Sequence, residues 1–446
     1  MTGNQRNEES GTATDVPMRR VAGASFAGTT IEFYDFFIYG TASALVFAPV
    51  FFPALGPAAG TVAAFASFSV AFFFRPVGSI LFGHLGDRLG RKRTLIYTLL
   101  LMGLSTFAIG LLPTAASIGA AAPIMLVVLR ALQGLAVGGE WAGAALLTTE
   151  FAPDGKRGTY SMFPQLGPAI AFSLSSTTFL ITALTMSAES FAAWGWRVPF
   201  LVSIVLVAVG LYVRLKIAET PVFKKALESN EPVKLPVADA LRFQWREVLL
   251  AGGALTMVFG FFYTSTVYLT SYGGSAKGVG VLGLSRPTVL TAGIVGGLVF
   301  GAVVVATAIL SDRLGRRRVV LAGNLLAVVV GPLAFLIMQP GNAASFFIGL
   351  ALLIGVVGIP YGPAAAYLPE IFRTRYRYTG AGMGYSLAGI LGGATPLLVA
   401  APLTAAFGGI GIGLFLAVLG LLSTACVLAL RETKDEVIDA PALAPA

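Results

Sequence analysis

The sequence predicts an all-α membrane protein of twelve transmembrane helices, arranged as two pseudo-symmetric six-helix bundles. Composition is the first reason. Of 446 residues, 56% are hydrophobic and 11% charged, with a mean hydropathy of +0.83, whereas soluble domains carry roughly a quarter charged residues. The second is a succession of apolar runs of about 20 residues, long enough to cross ~30 Å of hydrocarbon. The third is a polar loop that comes back. Gly83 to Thr94 reads G-H-L-G-D-R-L-G-R-K-R-T, and its Asp87-Arg88-Leu89-Gly90-Arg91 returns as Asp312-Arg313-Leu314-Gly315-Arg316. Glu150 and Arg157 are echoed at the same spacing by Glu370 and Arg377. Repeats so far apart exceed any solenoid period and indicate a duplicated half-chain.

Taken in order, residues 1–18 are polar and read as a disordered cytoplasmic tail. The apolar segment after Arg19 and Arg20 is too long for a signal-peptide core and lacks an A-x-A cleavage site, so it is an uncleaved first span. The N-terminal bundle, 19–215, holds expected spans at 22–50, 61–83, 94–113, 120–147, 159–184 and 196–215. The C-terminal bundle, 248–430, holds those at 248–272, 288–310, 319–338, 344–367, 380–402 and 408–430. Between them, 216–247 is the longest and most charged interior segment, placed where a six-plus-six duplication requires a cytoplasmic linker. The tail 431–446 carries no visible chemistry. Gly134 with Gly138, and Gly139 with Gly143, give small-xxx-small patterns that let helix backbones approach closely. Pro360 and Pro363 are expected to interrupt the tenth span.

The formal net charge of +9 does not point to nucleic acid. Its positive residues sit in short loops between apolar runs, among them Arg88, Arg91, Lys156, Arg157, Arg313, Arg316, Arg373, Arg377 and Arg431, all on one side. That asymmetry predicts a multi-pass protein of the cytoplasmic membrane with both termini in the cytoplasm. His84 is the only histidine and lies at a loop, which removes histidine-rich metal sites and any Ser-His-Asp triad. Cys426 stands alone, so no intramolecular disulfide forms. Gly384-Tyr385-Ser386-Leu387-Ala388 only loosely imitates a hydrolase elbow. No metal, no cofactor and no enzyme activity are expected.

Charge inside a membrane is expensive, so each such residue is a functional candidate. Span one carries Glu32 and Asp35, with Tyr39 one turn further. Span two carries Arg75, and span four Arg130 and Glu140, with Gln133 one turn from Arg130. At about 1.5 Å per residue, Asp35, Arg75 and Arg130 all fall near mid-membrane. The second half offers only Tyr263, Tyr268, Asn324, Tyr361 and Tyr385. Burying an ion pair rarely improves on apolar packing, so these charges are expected to work: Asp35 with Glu32 and Glu140 in proton coupling, Arg75 and Arg130 on a carboxylate, which guanidinium matches in bidentate fashion. Gln133, Tyr39, Tyr263, Tyr361 and Tyr385 complete the expected substrate site.

These stretches resemble the major facilitator superfamily over residues 19–431, and within it the metabolite:proton symporter family. The supporting motifs are T-T-I-E-F-Y-D-F-F-I-Y-G from Thr29, Arg75-Pro76-x-Gly78, and L-R-A-L-Q-G-L-A-V-G-G-E-W-A-G from Leu129. Gly195-Trp196-Arg197-x-Pro199-Phe200, Glu219-Thr220-Pro221-x-Phe223 and Arg377-Tyr378-Thr379-Gly380 add to them. The run through Gly138-Gly139-Glu140-Trp141 looks most like shikimate-permease relatives, while Phe33 stands where many relatives carry tryptophan. The resemblance implies two bundles rocking about a central site, with protons co-transported. It also implies a gate in which Gly83, Asp87, Arg88, Gly90 and Arg91, with the echo set Glu150, Arg157, Asp312, Arg313, Arg316, Glu370 and Arg377, hold the cytoplasmic ends together. Asp87 would meet the positive end of the eleventh helix. The expected activity is proton-coupled uptake of a small polar metabolite, an organic carboxylate, by a monomer in the bilayer. A betaine- or proline-type zwitterion symporter and a proton-independent facilitator are the alternatives; a receptor would be expected to append a signalling domain.

Overall fold

A computed structural model describes residues 18–434 apart from 90, 139, 151, 154, 217–235, 275–280 and 374–376. The side chains of Gly83, Asp87, Arg88, Arg91 and Glu150, and all of Gly90, lie outside the described residues, as do most of the expected linker and both tails. The described chain is helical without strands. The N-terminal helices are α1 (Met18–Leu45), α2 (Gly56–Leu89), α3 (Arg91–Leu111), α4 (Ala121–Val137, resumed as Glu140–Glu150), α5 (Arg157–Thr185) and α6 (Val198–Lys216). The C-terminal ones are α7 (Pro236–Tyr263, continued through a π-helical turn at Thr264–Tyr268 to Leu269–Tyr272), α8 (Arg286–Leu314), α9 (Arg316–Ile337) and α10 (Ala343–Ile371). They end with α11 (Arg377–Ala388, a π-helical turn at Gly389–Ala394, then Thr395–Phe407) and α12 (Gly409–Ala429).

Eleven described helices are long and apolar enough to cross a membrane, and α1 is not among them. Glu32, Asp35 and the neighbouring threonines dilute its hydropathy, yet it packs inside the bundle against α5 and α6. Two expectations need correction. Pro360 and Pro363 do not break α10, which runs unbroken through them and Pro369. The first span stops at Leu45, and a separate short helix, Phe47–Phe51, follows. Within the expected linker, residues 236–243 are helical and join the rest of α7 across a kink at Gln244.

Packing repeats between the halves. Within the first, α1 pairs with α5, α2 with α4 and α3 with α6; within the second, α7 pairs with α11, α8 with α10 and α9 with α12. The halves meet along α5–α8 and along α2–α11, again a symmetric pair of contacts. Lipid-facing positions such as Leu184, Val205, Val329 and Leu336 are large, apolar and exposed, a pattern that water would not tolerate over so many residues.

The α2–α4 seam is set by backbone approach. A Cβ on Gly138 would lie 2.1 Å from the Arg75 carbonyl oxygen, and one on Gly134 would lie 2.5 Å from that of Ala71. Because α2 carries Arg75 and α4 carries Arg130, this seam fixes both guanidiniums. Gly138→Ala should therefore lower stability by about 1–3 kcal/mol, the usual effect of overpacking a filled interface. Gly143→Ala, whose Cβ meets only the Tyr378 ring at 3.7 Å, should be neutral. Thermal unfolding of the two variants in detergent checks the difference.

Candidate functional site

At the centre, four helices deliver an aromatic box around two cations. Phe36 and Tyr39 share a face of α1, and Phe68 and Phe72 are one turn apart on α2, with Arg75 following on the same side. The Arg130 guanidinium carbon sits 4.1 Å from the Phe36 ring centroid and 4.3 Å from those of Tyr39 and Phe68. Arg75 sits 4.8 Å from Phe36 and 5.1 Å from Phe72, so the Phe36 ring serves both cations. Tyr263 of α7 closes the box from the other half, 4.9 Å from Phe72 and 5.6 Å from Phe36 and Phe68. Ring faces attract a cation by about 0.5–2 kcal/mol each, which replaces part of the hydration that burial removes. Exposure is 0% for Arg130, 2% for Arg75 and Asp35 and 4% for Glu32, so the box is closed to both sides of the membrane.

The polar groups form a chain. Arg130 donates from Nε to the Phe68 carbonyl (3.1 Å) and from NH1 to Oε1 of Gln133 (2.9 Å). Gln133 donates from Nε2 to Oγ1 of Thr106 (2.7 Å), and Thr106 reaches Oδ2 of Asp35 at 3.0 Å. Tyr39 donates to Ser67 at 2.8 Å. Arg130 and Asp35 therefore do not meet directly, since an amide and a hydroxyl stand between them. Among the described residues, Nε and NH1 of Arg75 and NH2 of Arg130 have no hydrogen-bond partner.

Toward the end that bears the basic loops, a plug ties the halves together. The Trp141 indole of α4 stacks on the Tyr385 ring of α11 at 3.8 Å and 7°. Trp141 Nε1 donates to Oε1 of Gln165 on α5 (3.0 Å), and Gln165 Nε2 donates to the carbonyl of Tyr361 on α10 (2.9 Å). Tyr361 and Tyr385 therefore lie in the plug and Tyr263 in the box. Glu140, buried beside Trp141, takes no part in the chain from Arg130 to Asp35.

Further out lies the duplicated loop. Asp312 accepts the Gly158 and Thr159 backbone N–H groups at 2.8 Å each, and the Thr159 hydroxyl at 2.6 Å. It thereby caps the first turn of α5 across the bundle interface, supplying acceptors that the N-terminus lacks within its own helix. Gly158 permits this approach, for its Cβ would lie 2.5 Å from Oγ of Ser311. Arg316 pairs with Asp312 at 2.8 Å and reaches Glu370 at 3.6 Å, and Arg377 Nε donates to the Pro369 carbonyl at 3.2 Å. Arg313 is exposed, and its carbonyl accepts Lys434 Nζ at 2.9 Å. Arg157 opens α5 at the same seam, half-buried. By symmetry the Asp312–α5 contact is the counterpart of the one expected of Asp87 with α11.

Sequence reasoning missed Phe36, Phe68, Phe72, Thr106, Trp141 and Gln165. The F-x-x-x-F-x-x-R run from Phe68 to Arg75 was a readable signal, as three residues on one helical face. Thr106 gave none, being one of many hydroxyls in apolar helices.

Spanning helices in two symmetric sets, closed around buried charge that no bulk solvent reaches, are the build of a membrane transporter. Comparison with known proteins agrees. The family model described as Sugar (and other) transporter matches residues 21–231 and 242–438. The chain is 43% identical to the inner membrane metabolite transport protein YhjE of Escherichia coli (strain K12), over 94% of this chain and 95% of that one. It is 40% identical to the shikimate transporter of the same organism, over 89% and 90%. To the proline/betaine transporter of Salmonella typhimurium it is 32% identical, over 86% and 78%. A crystal structure of a D-xylose-proton symporter superposes with a TM-score of 0.70 at 17% identity, over 92% and 96%, which shows a shared fold. The chain belongs to the Sugar (and other) transporter family, and with it to the major facilitator superfamily. It is a metabolite transporter rather than an enzyme.

Asp312→Ala would strand two helix N–H groups and take away one of the two carboxylates that Arg316 meets. Losing such partners typically costs about 1–3 kcal/mol, so the basic ends should spend more time apart. In a Cys426→Ser background, cysteine pairs placed across α5 and α8 near that end should crosslink less in Asp312→Ala than in the parent.

Proposed function

We propose that the protein is a proton-coupled symporter that imports a small organic carboxylate across the inner membrane by alternating access. The observation that carries the reading is the box itself. Two buried guanidiniums present three nitrogens that have no hydrogen-bond partner among the described residues, beside the buried Asp35 carboxylate, which an amide and a hydroxyl separate from Arg130. A carboxylate ligand supplies acceptors in the geometry that guanidinium prefers. Support comes from the relative named for shikimate, itself a carboxylate at neutral pH.

Asp35 carries the exchangeable proton in this reading. Ionised, it is the internal counter-charge of Arg130; protonated, it leaves the cation to an incoming anion, so proton and substrate load together. Glu32, one turn back on α1, belongs to the same acidic pair. Arg75 and Arg130 hold the anion, with Tyr39 and Tyr263 shaping the box. Tyr361 and Tyr385 serve the plug that must part for release, as does the duplicated loop. The basic end faces the cytoplasm, with both termini there, following the distribution of arginine and lysine.

A zwitterion is the second reading, favoured by the rings of Phe36, Phe68, Phe72 and Tyr263 together with Glu32. Aromatic faces and a carboxylate suit a quaternary ammonium, and a relative named for proline and betaine lies within the family. A thermal-shift panel of small carboxylates against betaines on the purified protein separates the two.

Uptake into proteoliposomes tests coupling. Asp35→Asn keeps the shape but cannot ionise, so counterflow exchange should persist while accumulation driven by a pH gradient disappears. Arg130→Ala should instead weaken binding by about thirtyfold or more, as expected from removing one member of a buried charged pair. If Asp35→Asn still concentrates substrate against its gradient, the coupling role belongs elsewhere.

A further inference from the structure

One member of the chain from Asp35 to Arg130 has a choice of partner. Thr106 Oγ1 lies 3.0 Å from Asp35 Oδ2 and 2.9 Å from the Met102 carbonyl oxygen, while it accepts Gln133 Nε2 at 2.7 Å. A hydroxyl has one proton and two acceptor sites, so it can serve only one of those two oxygens at a time. The Gln133 amide has no such freedom. Its oxygen takes Arg130 NH1 at 2.9 Å, which leaves its NH2 facing Thr106. Asp35, Thr106, Gln133 and Arg130 are all buried, so no solvent shortcut competes with this route.

We propose, resting on the symport reading above, that Thr106 and Gln133 form a hydroxyl switch that reports the protonation state of Asp35 to Arg130. With Asp35 ionised, Arg130 donates to Gln133, Gln133 to Thr106 and Thr106 to the carboxylate. Every dipole then points from cation to anion, and bonds aligned in this way in a low-dielectric interior strengthen one another. Arg130 is held by an internal counter-charge. When a proton arrives, the new O–H of Asp35 needs an acceptor, and Thr106 Oγ1 has one site left beside Gln133. The Thr106 hydroxyl turns to Met102, keeping its own proton. The last dipole of the chain is now reversed and the carboxylate charge is gone. Arg130 loses its counter-charge, and its NH2, which has no acceptor among the described residues, takes the substrate carboxylate.

Thr106 is thus a positioning residue and never carries the transported proton. The charged and titratable groups around this chain are Glu32 and Tyr34 on the helix of Asp35, Arg75 from α2, Tyr39 from α1 and Tyr263 from α7. From α3 the group facing Asp35 is Thr106 itself. Gln133 changes role as well, from a substrate contact to the fixed link of the relay.

Two variants separate a switch from a packing role. Thr106→Val keeps the volume and loses the hydroxyl; Thr106→Ser keeps the hydroxyl. Infrared spectra of the protein in vesicles, titrated with acid, should show a carboxylic-acid C=O band that is absent in Asp35→Asn. Thr106→Val should move that band to higher frequency, because the acid loses its acceptor, and Thr106→Ser should restore it. This arm needs no substrate, and an unmoved band in Thr106→Val overturns the switch. The transport arm uses radiolabelled shikimate. Thr106→Val should lose about tenfold in pH-driven accumulation, within the usual strength of linked sites, and change counterflow by less than about twofold. Thr106→Ser should accumulate as the parent does. Retained accumulation in Asp35→Asn would remove Asp35 from coupling, and the switch with it. Loss in Asp35→Asn with full accumulation in Thr106→Val would sink only the switch.

Discussion

Two guanidiniums lie in the middle of a structure whose surroundings are hydrocarbon, and most of the architecture follows from keeping them there. An isolated charge in such a medium is unfavourable by several kcal/mol or more. The chain answers with ring faces from Phe36, Tyr39, Phe68 and Phe72, a backbone carbonyl from Phe68 and a relayed carboxylate at Asp35. None of these neutralises the pair fully. Among the described residues, arginine N–H groups remain without protein acceptors, and that incompleteness sets the centre apart from a closed structural ion pair.

The scaffold delivers this centre through repetition. The α2–α4 and α8–α10 seams are counterparts, as are α5–α8 and α2–α11 between the halves, yet only the first half carries charge at its middle. The second contributes aromatic and hydroxyl groups: Tyr263 to the box, Tyr361 and Tyr385 to the plug. One bundle thus supplies the buried charge, and the other lays aromatic rings against it. The seams tolerate little, since at Gly134 and Gly138 helix backbones touch without side chains between them.

How far the sequence could be read depended on whether a feature was local or relational. The repeated D-R-L-G-R stretch disclosed the duplication, and Asp312 stands against the neighbouring half as such a loop should. Glu32, Asp35, Arg75 and Arg130 stood out because charge is rare in apolar runs. The same residues lower the hydropathy of α1, so composition alone passes eleven helices while the motif marks the twelfth. Thr106 was illegible for a physical reason. A threonine in an apolar helix ordinarily bonds to the carbonyl four residues back, and Thr106 is placed to do so with Met102; only the tertiary arrangement offers it Asp35 as well. Likewise, the sequence puts Gln133 one turn from Arg130 but does not disclose that its amide faces Thr106 of α3. The prolines of α10 misled because a membrane helix can carry proline without breaking, as α10 does at three positions.

Asp312 at the start of α5 bears on how fast such a machine can turn over. Its carboxylate caps a helix that belongs to the other bundle, so the bond is made only while the halves are together. When they part, water can solvate both the carboxylate and the exposed N–H groups of Gly158 and Thr159, and the exchange of one set of hydrogen bonds for another is nearly balanced. A greasy seam of equal area would release no such compensation on opening and would hold the carrier in one state. A polar fastener at the rim, with wet surroundings available on release, instead leaves the two shapes close in free energy. Closeness of that kind is what lets a modest differential affinity, from a proton or a small anion, move the population from one shape to the other.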